Sequence, residues 1–364
     1  MFPKEVIADD NLRASTPIGA GPWMLRSFKP QVSYEFDKHP NYHWADAQGR
    51  KTPYLDGVKM NVLADNAQFV AQFVGGNLDS TGVSYSDLDQ VKSQVKGVNI
   101  IKSSAGAFYF LAPQQRQERG GPWLDVRMRQ ALSLAVDRDG LLKLFWDGTG
   151  KYFGIVEPSE GTWSFDMRDL GDRKKWYTHD PAQSKQLASA AGYKGDPLRY
   201  LYTNNAYGDQ FNQTALFVAD NAKQAGLNTQ VVTLDYRGEF ITPGKAFFGN
   251  YDGVWIGTEA QYTDPYYMVF SMLYDPKQNS WNHVGVNDPQ ANSLIDQLAA
   301  EFDNAKRHDL VRQIEELQTD HMYYVPTATG PGYTVNQPWL KNALNAGIAA
   351  PAETYPLMWL EKKG

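Results

Sequence analysis

The chain has 364 residues, a formal net charge of −6 and hydrophobic residues at 42% of its positions. This length exceeds what one compact core usually takes and predicts two lobes, and the composition excludes a disordered or fibrous protein. Lys and Arg are scattered along the chain, which argues against a nucleic-acid-binding surface, because such a surface needs clustered cations. The absence of cysteine excludes disulfides and thiolate metal sites.

Short strands separated by turns are predicted for about the first hundred residues. Apolar and polar residues alternate in several of these stretches, which is the period of a half-buried strand. Phe69, Phe73 and Val74 fit one face of a short helix that ends at Gly75. The predicted strands cover residues 23–28, 32–36, 57–63, 98–101 and 107–111.

Helical periodicity begins at residue 125. An apolar stripe over residues 125–145, interrupted near Asp137, predicts a long helix followed by a shorter one. Asp180 as the N-cap and Pro181 as the first helical residue predict another helix, which Gly192 ends.

The remainder alternates strands and helices. A strand at 199–202, a helix at 212–225 and a strand at 229–234 predict a parallel pair with a right-handed crossover. The other predicted elements are a strand at 252–257, helices at 289–302 and 304–317, and a strand at 323–326. The tail, with Trp339 and Trp359, is long enough to return to the first lobe.

Several stretches, taken in order, resemble the peptide, oligosaccharide and nickel-chelate binding proteins of ABC importers, solute-binding family 5. Residues 122–138 carry the strongest likeness, since Pro-Trp-Leu-Asp-Val-Arg-Met-Arg-Gln-Ala-Leu-Ser-Leu-Ala-Val-Asp-Arg is similar to the signature Pro-Phe-x-Asp-x-Arg-Val-Arg-x-Ala-Leu-x-x-Ala-Ile-Asp-Arg. Weaker likenesses lie at residues 18–23, 39–44, 53–58, 303–307 and 324–326.

The resemblance implies an α/β (α+β) fold of two lobes, the periplasmic-binding-protein-like fold of class II, cluster C. It implies a partial lobe I at residues 1–112, lobe II at 113–330 and a return segment at 331–364 that packs on lobe I. It also implies crossovers near residues 111–113 and 329–331, with a ligand cleft between the lobes that closes by a hinge.

Family members carry a substantial portion before the Gly-Pro turn, whereas seventeen residues precede Ile18 here. We therefore expect the family's N-terminal part to be missing and lobe I to be incomplete, with exposed strand edges and self-association. Residues 1–5 lack the features of a secretory signal, so we expect that a signal was removed or that the chain begins inside a longer gene product.

The expected function is capture of a peptide or oligosaccharide in the cleft and its delivery to an ABC permease in the membrane, without catalysis. The expected location is the periplasm or the cell surface. No cofactor, metal or nucleic-acid partner is expected. Gly148–Lys151 has glycines but lacks the length of a phosphate-binding loop, and His39 and His43 flank a proline in a predicted loop rather than a helix.

Peptide-binding relatives carry a Trp and, three residues later, an Asp that pairs with the peptide's amino group. This sequence has Trp255 but Thr258 at that offset, and Glu259 follows. The charged anchor is therefore absent or moved to Glu259, and a neutral ligand such as an oligosaccharide becomes an alternative to a peptide.

Neutral ligands need stacking faces and hydrogen-bonding groups, and aromatic residues make up 13% of the chain. Each of these aromatic rings could instead be part of the core, and each loop Asn could instead serve to form a turn. A hydrolase of unfamiliar type remains the alternative function, because a catalytic triad is defined by geometry rather than order. The predicted ligand-binding residues are Asn204, Asn205, Tyr207, Trp255, Thr258, Glu259, Tyr262, Tyr266, Tyr267 and Trp281.

Overall fold

The computed structural model describes residues 19–63, 65–103, 108–156, 163–259, 264–343 and 354–361. The strands are β1 (Trp23–Lys29), β2 (Ser33–Lys38), β3 (Gly57–Asn61), β4 (Ser80–Val83), β5 (Asn99–Lys102), β6 (Phe110–Pro113), β7 (Lys151–Tyr152), β8 (Leu198–Thr203), β9 (Thr229–Leu234), β10 (Val254–Gly257), β11 (Val325–Pro326), β12 (Ala328–Thr329), β13 (Tyr333–Asn336), β14 (Leu340–Lys341) and β15 (Trp359–Leu360). The α-helices are α1 (Asn66–Val74), α2 (Leu88–Gln94), α3 (Val126–Ala135), α4 (Arg138–Trp146), α5 (Pro181–Ala190), α6 (Asp209–Gln224), α7 (Pro265–Leu273), α8 (Pro289–Ala300) and α9 (Asn304–His321).

The chain forms two compact units. Unit 1 consists of the chain up to Ser103 and of the chain from Gly332 onwards. Unit 2 consists of the intervening part of the sequence, which ends at Pro331. The division expected between residues 112 and 113 falls inside β6, which belongs to the sheet of unit 2. The first boundary lies earlier along the chain because β6 hydrogen-bonds to β10 and β11.

Unit 2 is built on a five-stranded sheet with the order β11-β6-β10-β8-β9. β8 is parallel to β9 and to β10, whereas β6 is antiparallel to β10 and β11. The predicted strand–helix–strand unit is confirmed, since α6 connects the parallel strands β8 and β9. The carboxyl ends of β8, β9 and β10 therefore meet at one edge of the sheet.

Side-chain caps fix several helix starts in unit 2. Asp180 accepts a hydrogen bond from the backbone N–H of Gln183 at 2.8 Å, and Pro181 occupies the first turn. Asp303 accepts one from the N–H of Lys306 at 3.0 Å. These carboxylates satisfy N–H groups that have no partner within the helix, which confirms the predicted start at Asp180.

The core of unit 2 is rich in aromatic side chains around β10. Trp255 is fully buried. Its ring packs edge-on against Phe240, with ring centroids 5.3 Å apart, and stacks on Phe247 at 5.9 Å. A Cβ at Gly257 would lie 2.9 Å from the Trp255 ring, so only glycine fits beside this indole without displacement.

Unit 1 contains a three-stranded antiparallel sheet, β1-β2-β3, and a second sheet in which β13 lies between β4 and β5. The first sheet has a polar face, where Arg26 forms an ion pair with Glu35 at 3.0 Å. Its other face carries Phe28, Tyr34 and Met60, which are neighbours across the strands and are all exposed. A small separate core lies beside β13 and includes buried apolar residues of α1, α2 and β4.

Candidate functional site

Polar and aromatic side chains follow three parallel strands of unit 2 at the edge where those strands end. Asn205 and Tyr207 follow β8, Asp235 and Tyr236 follow β9, and Glu259 follows β10. We call these five residues the strand-end cluster. In open α/β sheets, ligands bind outside the carboxyl ends of the strands, so this edge is the candidate site.

Hydrogen bonds between the loops fix one side of the cluster. The Asn205 side-chain amide donates to the Asp235 carboxylate at 3.2 Å, and its oxygen accepts from the backbone N–H of Tyr236 at 3.3 Å. Asp235 also accepts from the N–H of Gly238 at 2.6 Å. This backbone bond, followed by the Asn205 amide, lowers the pKa of the Asp235 carboxyl below its usual range, so it is ionised at neutral pH.

Tyr207 is a half-buried member of the cluster. Its ring packs edge-on against Phe211 and Tyr236, with centroids 4.9 Å and 5.5 Å away. Burial raises the pKa of the Tyr207 hydroxyl, and the neighbouring Tyr236 and the charge of Glu259 add to this effect. The hydroxyl therefore keeps its proton and can donate a hydrogen bond to a ligand.

Glu259 is buried and its carboxyl contacts His283. The Glu259 Oε2 to His283 Nε2 distance is 2.8 Å, and both side chains have almost no exposed surface. The other ring nitrogen, Nδ1, lies 2.6 Å from the backbone oxygen of Phe247. Glu259, the residue that the sequence analysis considers as the shifted charged anchor, thus has a partner inside the protein.

The remaining predicted site residues lie in other surroundings. Trp255 is part of the core, and the Thr258 hydroxyl donates to the backbone oxygen of Glu259 at 3.3 Å. Asn204 is exposed, and its backbone oxygen accepts from the Asn212 side chain at 3.3 Å. Contact of these residues with a ligand stays a prediction.

The predicted aromatic residues beyond β10 form two separate groups. Tyr266 packs against Tyr267 at the start of α7, with centroids 5.6 Å apart. Trp281 packs edge-on against Phe247 at 5.6 Å and is 41% exposed. Tyr262 lies outside the described residues.

The structure thus brings three of the predicted residues together, namely Asn205, Tyr207 and Glu259. Sequence reasoning missed Asp235 and Tyr236, although both directly follow a predicted strand, so the rule for strand ends could have found them. It also missed His283, which has no ligand spacing in the sequence and meets Glu259 only through the fold.

The described part of the chain contains neither a cluster of metal-ligating side chains nor a membrane-spanning helix. No group of three or more His, Asp or Glu side chains within it could hold a metal ion. In the predicted loop of unit 1, His39 accepts a hydrogen bond through Nδ1 from the N–H of Asn41 at 3.1 Å. Among the described helices, none combines the length and the apolar character that crossing a bilayer requires.

Residues 2–280 match the family model described as bacterial extracellular solute-binding proteins, family 5 Middle. A probable ABC transporter-binding protein of Deinococcus radiodurans is 26% identical over 95% of this chain and 65% of its own length. The dipeptide-binding protein of Escherichia coli is 24% identical over 86% of this chain and 57% of its own length. The chain thus spans less than two thirds of the length of these relatives.

Solved structures share the fold. The oligopeptide-binding protein AppA of Bacillus subtilis, in complex with a nonapeptide, matches with a TM-score of 0.78 and 18% identity, covering 100% of this chain and 72% of that one. AgaA of Agrobacterium tumefaciens R10, in complex with agropinic acid, matches with a TM-score of 0.81 and 19% identity, covering 99% of this chain and 71% of that one.

Proposed function

The chain belongs to the bacterial extracellular solute-binding proteins of family 5, and from this membership we propose that it captures a small polar ligand for an ABC importer. The ligand is a peptide or an oligosaccharide, and the partner is a permease in the membrane. The protein works outside the cytoplasm, in the periplasm or at the cell surface. It binds and releases the ligand unchanged. The membrane transporter supplies the energy for uptake.

The observation that supports this proposal best is the strand-end cluster. It offers an amide, phenolic hydroxyls and aromatic faces on loops that are tied to one another, as the bond from Asn205 to Asp235 shows. A few oriented polar groups among aromatic side chains are typical of small-molecule sites. Such groups recognise hydroxyl and amide functions, which peptides and oligosaccharides both carry.

The names of the relatives support a binding function rather than a hydrolytic one. The relatives reported above are named for binding dipeptides and oligopeptides or for belonging to an ABC transporter. AgaA holds agropinic acid, so the fold accepts ligands other than peptides. None of these proteins is named as a hydrolase, and no observation on the described residues favours that alternative.

A thermal-shift screen tests the proposal. The purified chain is melted with di- and oligopeptides, with cello- and xylo-oligosaccharides and with nickel chelates, each at rising concentration. A ligand that binds only the folded state adds about 2.7 kcal/mol of stability at a hundredfold excess over its Kd. We expect a rise of the melting temperature with one class of peptide or oligosaccharide. If the chain folds but its melting temperature does not change with any of these classes of ligand, the proposal is contradicted.

A further inference from the structure

A pocket of about 410 Å³ lies in unit 2 at the edge of the sheet opposite to the strand-end cluster. Its lining includes Gln115, which follows β6, and Tyr323, which precedes β11. Pro113 at the end of β6 pairs with Val254 at the start of β10, whereas the strand-end cluster lies beyond the end of β10. The pocket is therefore separate from the strand-end cluster.

The Arg129 side chain lines this pocket, although only 5% of the residue is exposed. Its Nε donates to the backbone oxygen of His321 at 3.0 Å, and its Nη1 donates to those of Trp123 and Leu124 at 2.6 Å and 3.0 Å. Nη2 has no acceptor among the hydrogen bonds of the described residues, and it is not sealed from solvent. Two N–H groups of a buried cation are thus available to a molecule in the pocket.

The positive charge of Arg129 is offset inside the protein by backbone oxygens. The nearby Asp125 carboxylate forms its hydrogen bonds with the Arg127 guanidinium, at 3.0 Å and 2.6 Å. Burial lowers the pKa of Arg129 to about 10, which still leaves the guanidinium protonated at neutral pH. A buried cation in these surroundings is stabilised further by an anion that bonds to its free nitrogen.

Gln115 supplies a second available atom in the same pocket and is 8% exposed. Its Nε2 donates to the backbone oxygens of Tyr323 and Pro113, at 2.7 Å and 3.2 Å, which fixes the orientation of the amide. Oε1 has no donor among the hydrogen bonds of the described residues. Because Arg129 bonds to His321 and Gln115 to Tyr323, the two side chains are anchored two residues apart on one stretch of backbone.

Asp288 adds a negative group to the lining of the pocket. Its carboxylate accepts hydrogen bonds from the Tyr323 hydroxyl and from the backbone N–H of Gln290, the latter at 2.7 Å. A ligand that is only anionic is repelled by this carboxylate, whereas a ligand that also carries a cationic donor is attracted by it. The pocket therefore combines one available cation, one neutral acceptor and one carboxylate.

We propose that this pocket is a second binding site, which takes a small carboxylate that also carries a hydrogen-bond donor, with free amino acids as the preferred class. The ligand carboxylate bonds to Nη2 of Arg129, and the ligand ammonium group bonds to Oε1 of Gln115. Asp288 favours an ammonium group over a hydroxyl group as the donor. This site lies apart from the strand-end cluster, so the inference goes beyond the proposed function and does not depend on it.

Calorimetric titration with alanine, lactate, propionate and alaninamide tests the ligand class, because these molecules have similar sizes and differ in the groups that the pocket would recognise. We expect the wild type to bind alanine most tightly and lactate next. Propionate has no donor for Gln115 and is expected to bind at least about fivefold more weakly than lactate. Alaninamide has no carboxylate for Arg129, and no binding is expected.

Gln117→Glu tests the location of the site and leaves the bonds of Arg129 in place. Gln117 is an exposed residue of the pocket lining. The new carboxylate competes with that of alanine for the guanidinium, so we expect the Kd for alanine to increase at least about tenfold. Gln90→Glu is the matched control, because Gln90 is exposed on α2 of unit 1 and the substitution changes the net charge equally. The Kd is expected to stay unchanged there.

Arg129→Met removes the cation and is expected to abolish the binding of alanine. Circular dichroism melting shows whether this variant folds, and the comparison of Gln117→Glu with Gln90→Glu decides the question if it does not. Absence of alanine binding by the wild type up to about 10 mM would overturn the inference. Equal Kd values for alanine in Gln117→Glu and Gln90→Glu would also overturn it, since they would place alanine outside this pocket. Propionate or alaninamide that binds as tightly as alanine would do the same. None of these outcomes bears on the proposed function of the strand-end cluster.

Discussion

Glu315 on α9 carries a fully buried carboxyl group, and burial disfavours its ionised form. Its two oxygens accept hydrogen bonds from the backbone N–H groups of Val156 and Ile155, at 2.7 Å and 3.2 Å. Burial raises the pKa of Glu315 to about 7, and the two N–H groups reduce the size of this rise. The folded protein therefore keeps a proton on Glu315 at a pH where the unfolded chain has lost it.

The sign of the resulting pH dependence follows from proton binding. Between the ordinary Glu pKa near 4.5 and the folded value near 7, the folded state binds more protons than the unfolded state. The free energy of unfolding therefore falls as the pH rises through this window, by an amount on the order of 3 kcal/mol, and then levels off.

Glu315→Gln removes this titration, so we expect the stability of the variant to depend less on pH than that of the wild type. Urea unfolding at pH 5, 6, 7 and 8 measures the difference. Glu316→Gln is the control, because Glu316 is partly exposed and pairs with Arg173 on the surface. A difference between Glu315→Gln and the wild type that stays constant with pH would show that Glu315 does not titrate in this range.

Single residues also show where sequence reasoning about the site succeeds. Asn205, Tyr207 and Glu259 follow predicted strands, and the topology of a parallel sheet brings such residues together. The contact between Glu259 and His283 could not be predicted, because His283 lies in a loop whose position depends on tertiary contacts such as those of Arg116. Trp255 is predicted as a ligand contact, yet in this structure its indole is enclosed by Phe240 and Phe247.

Helix α5 illustrates how local signals define an element. Its N-cap Asp180 accepts a hydrogen bond from the N–H of Gln183, and the backbone N–H of Asp180 donates to the backbone oxygen of Leu134, in α3, at 2.9 Å. Asp180→Ala leaves the helix N-terminus without its cap. We expect a loss of about 1 kcal/mol in the free energy of unfolding, measured by urea denaturation.

Asp220→Ala is the control for this variant, because Asp220 lies within α6 rather than at its start. Its side-chain carboxylate accepts a hydrogen bond from the Gln224 side chain at 2.5 Å. An equal effect of the two substitutions would contradict the capping role of Asp180.

Most of the longer elements could be predicted from sequence, because caps, glycine stops and apolar periods are local. The strand predicted at residues 229–234 has the same limits as β9, and the interruption near Asp137 separates α3 from α4. Short strands were missed, among them β7, β12 and β13. These strands have two to four residues, which is too short for a periodic pattern, and only pairing with distant segments such as β4 stabilises them.

At the scale of the whole molecule, the apolar face of the β1-β2-β3 sheet affects solubility. Phe28, Tyr34 and Met60 are 50%, 37% and 56% exposed, and the rings of Phe28 and Tyr34 stack at 4.8 Å. A contiguous exposed apolar row promotes self-association. We therefore expect sedimentation velocity to show association that increases with protein concentration.

The double substitution Phe28→Ser and Met60→Ser is expected to reduce this association without loss of the melting transition. Exchanging two exposed residues away from this row, Leu216→Ser and Leu144→Ser, provides the control. A wild type that stays monomeric at the highest concentration would contradict this prediction and the expectation that an incomplete lobe I leads to self-association.

The claim that the strand-end cluster binds the ligand is tested most directly by calorimetric titration with the ligand that raises the melting temperature. Tyr236→Leu removes a ring from the cluster, and Tyr355→Leu removes a partly exposed ring from unit 1 as the matched control. We predict one binding site per chain and a Kd that increases at least about tenfold in Tyr236→Leu, which corresponds to about 1.4 kcal/mol, but not in Tyr355→Leu. Equal Kd values for the wild type and both variants would place the ligand outside the strand-end cluster.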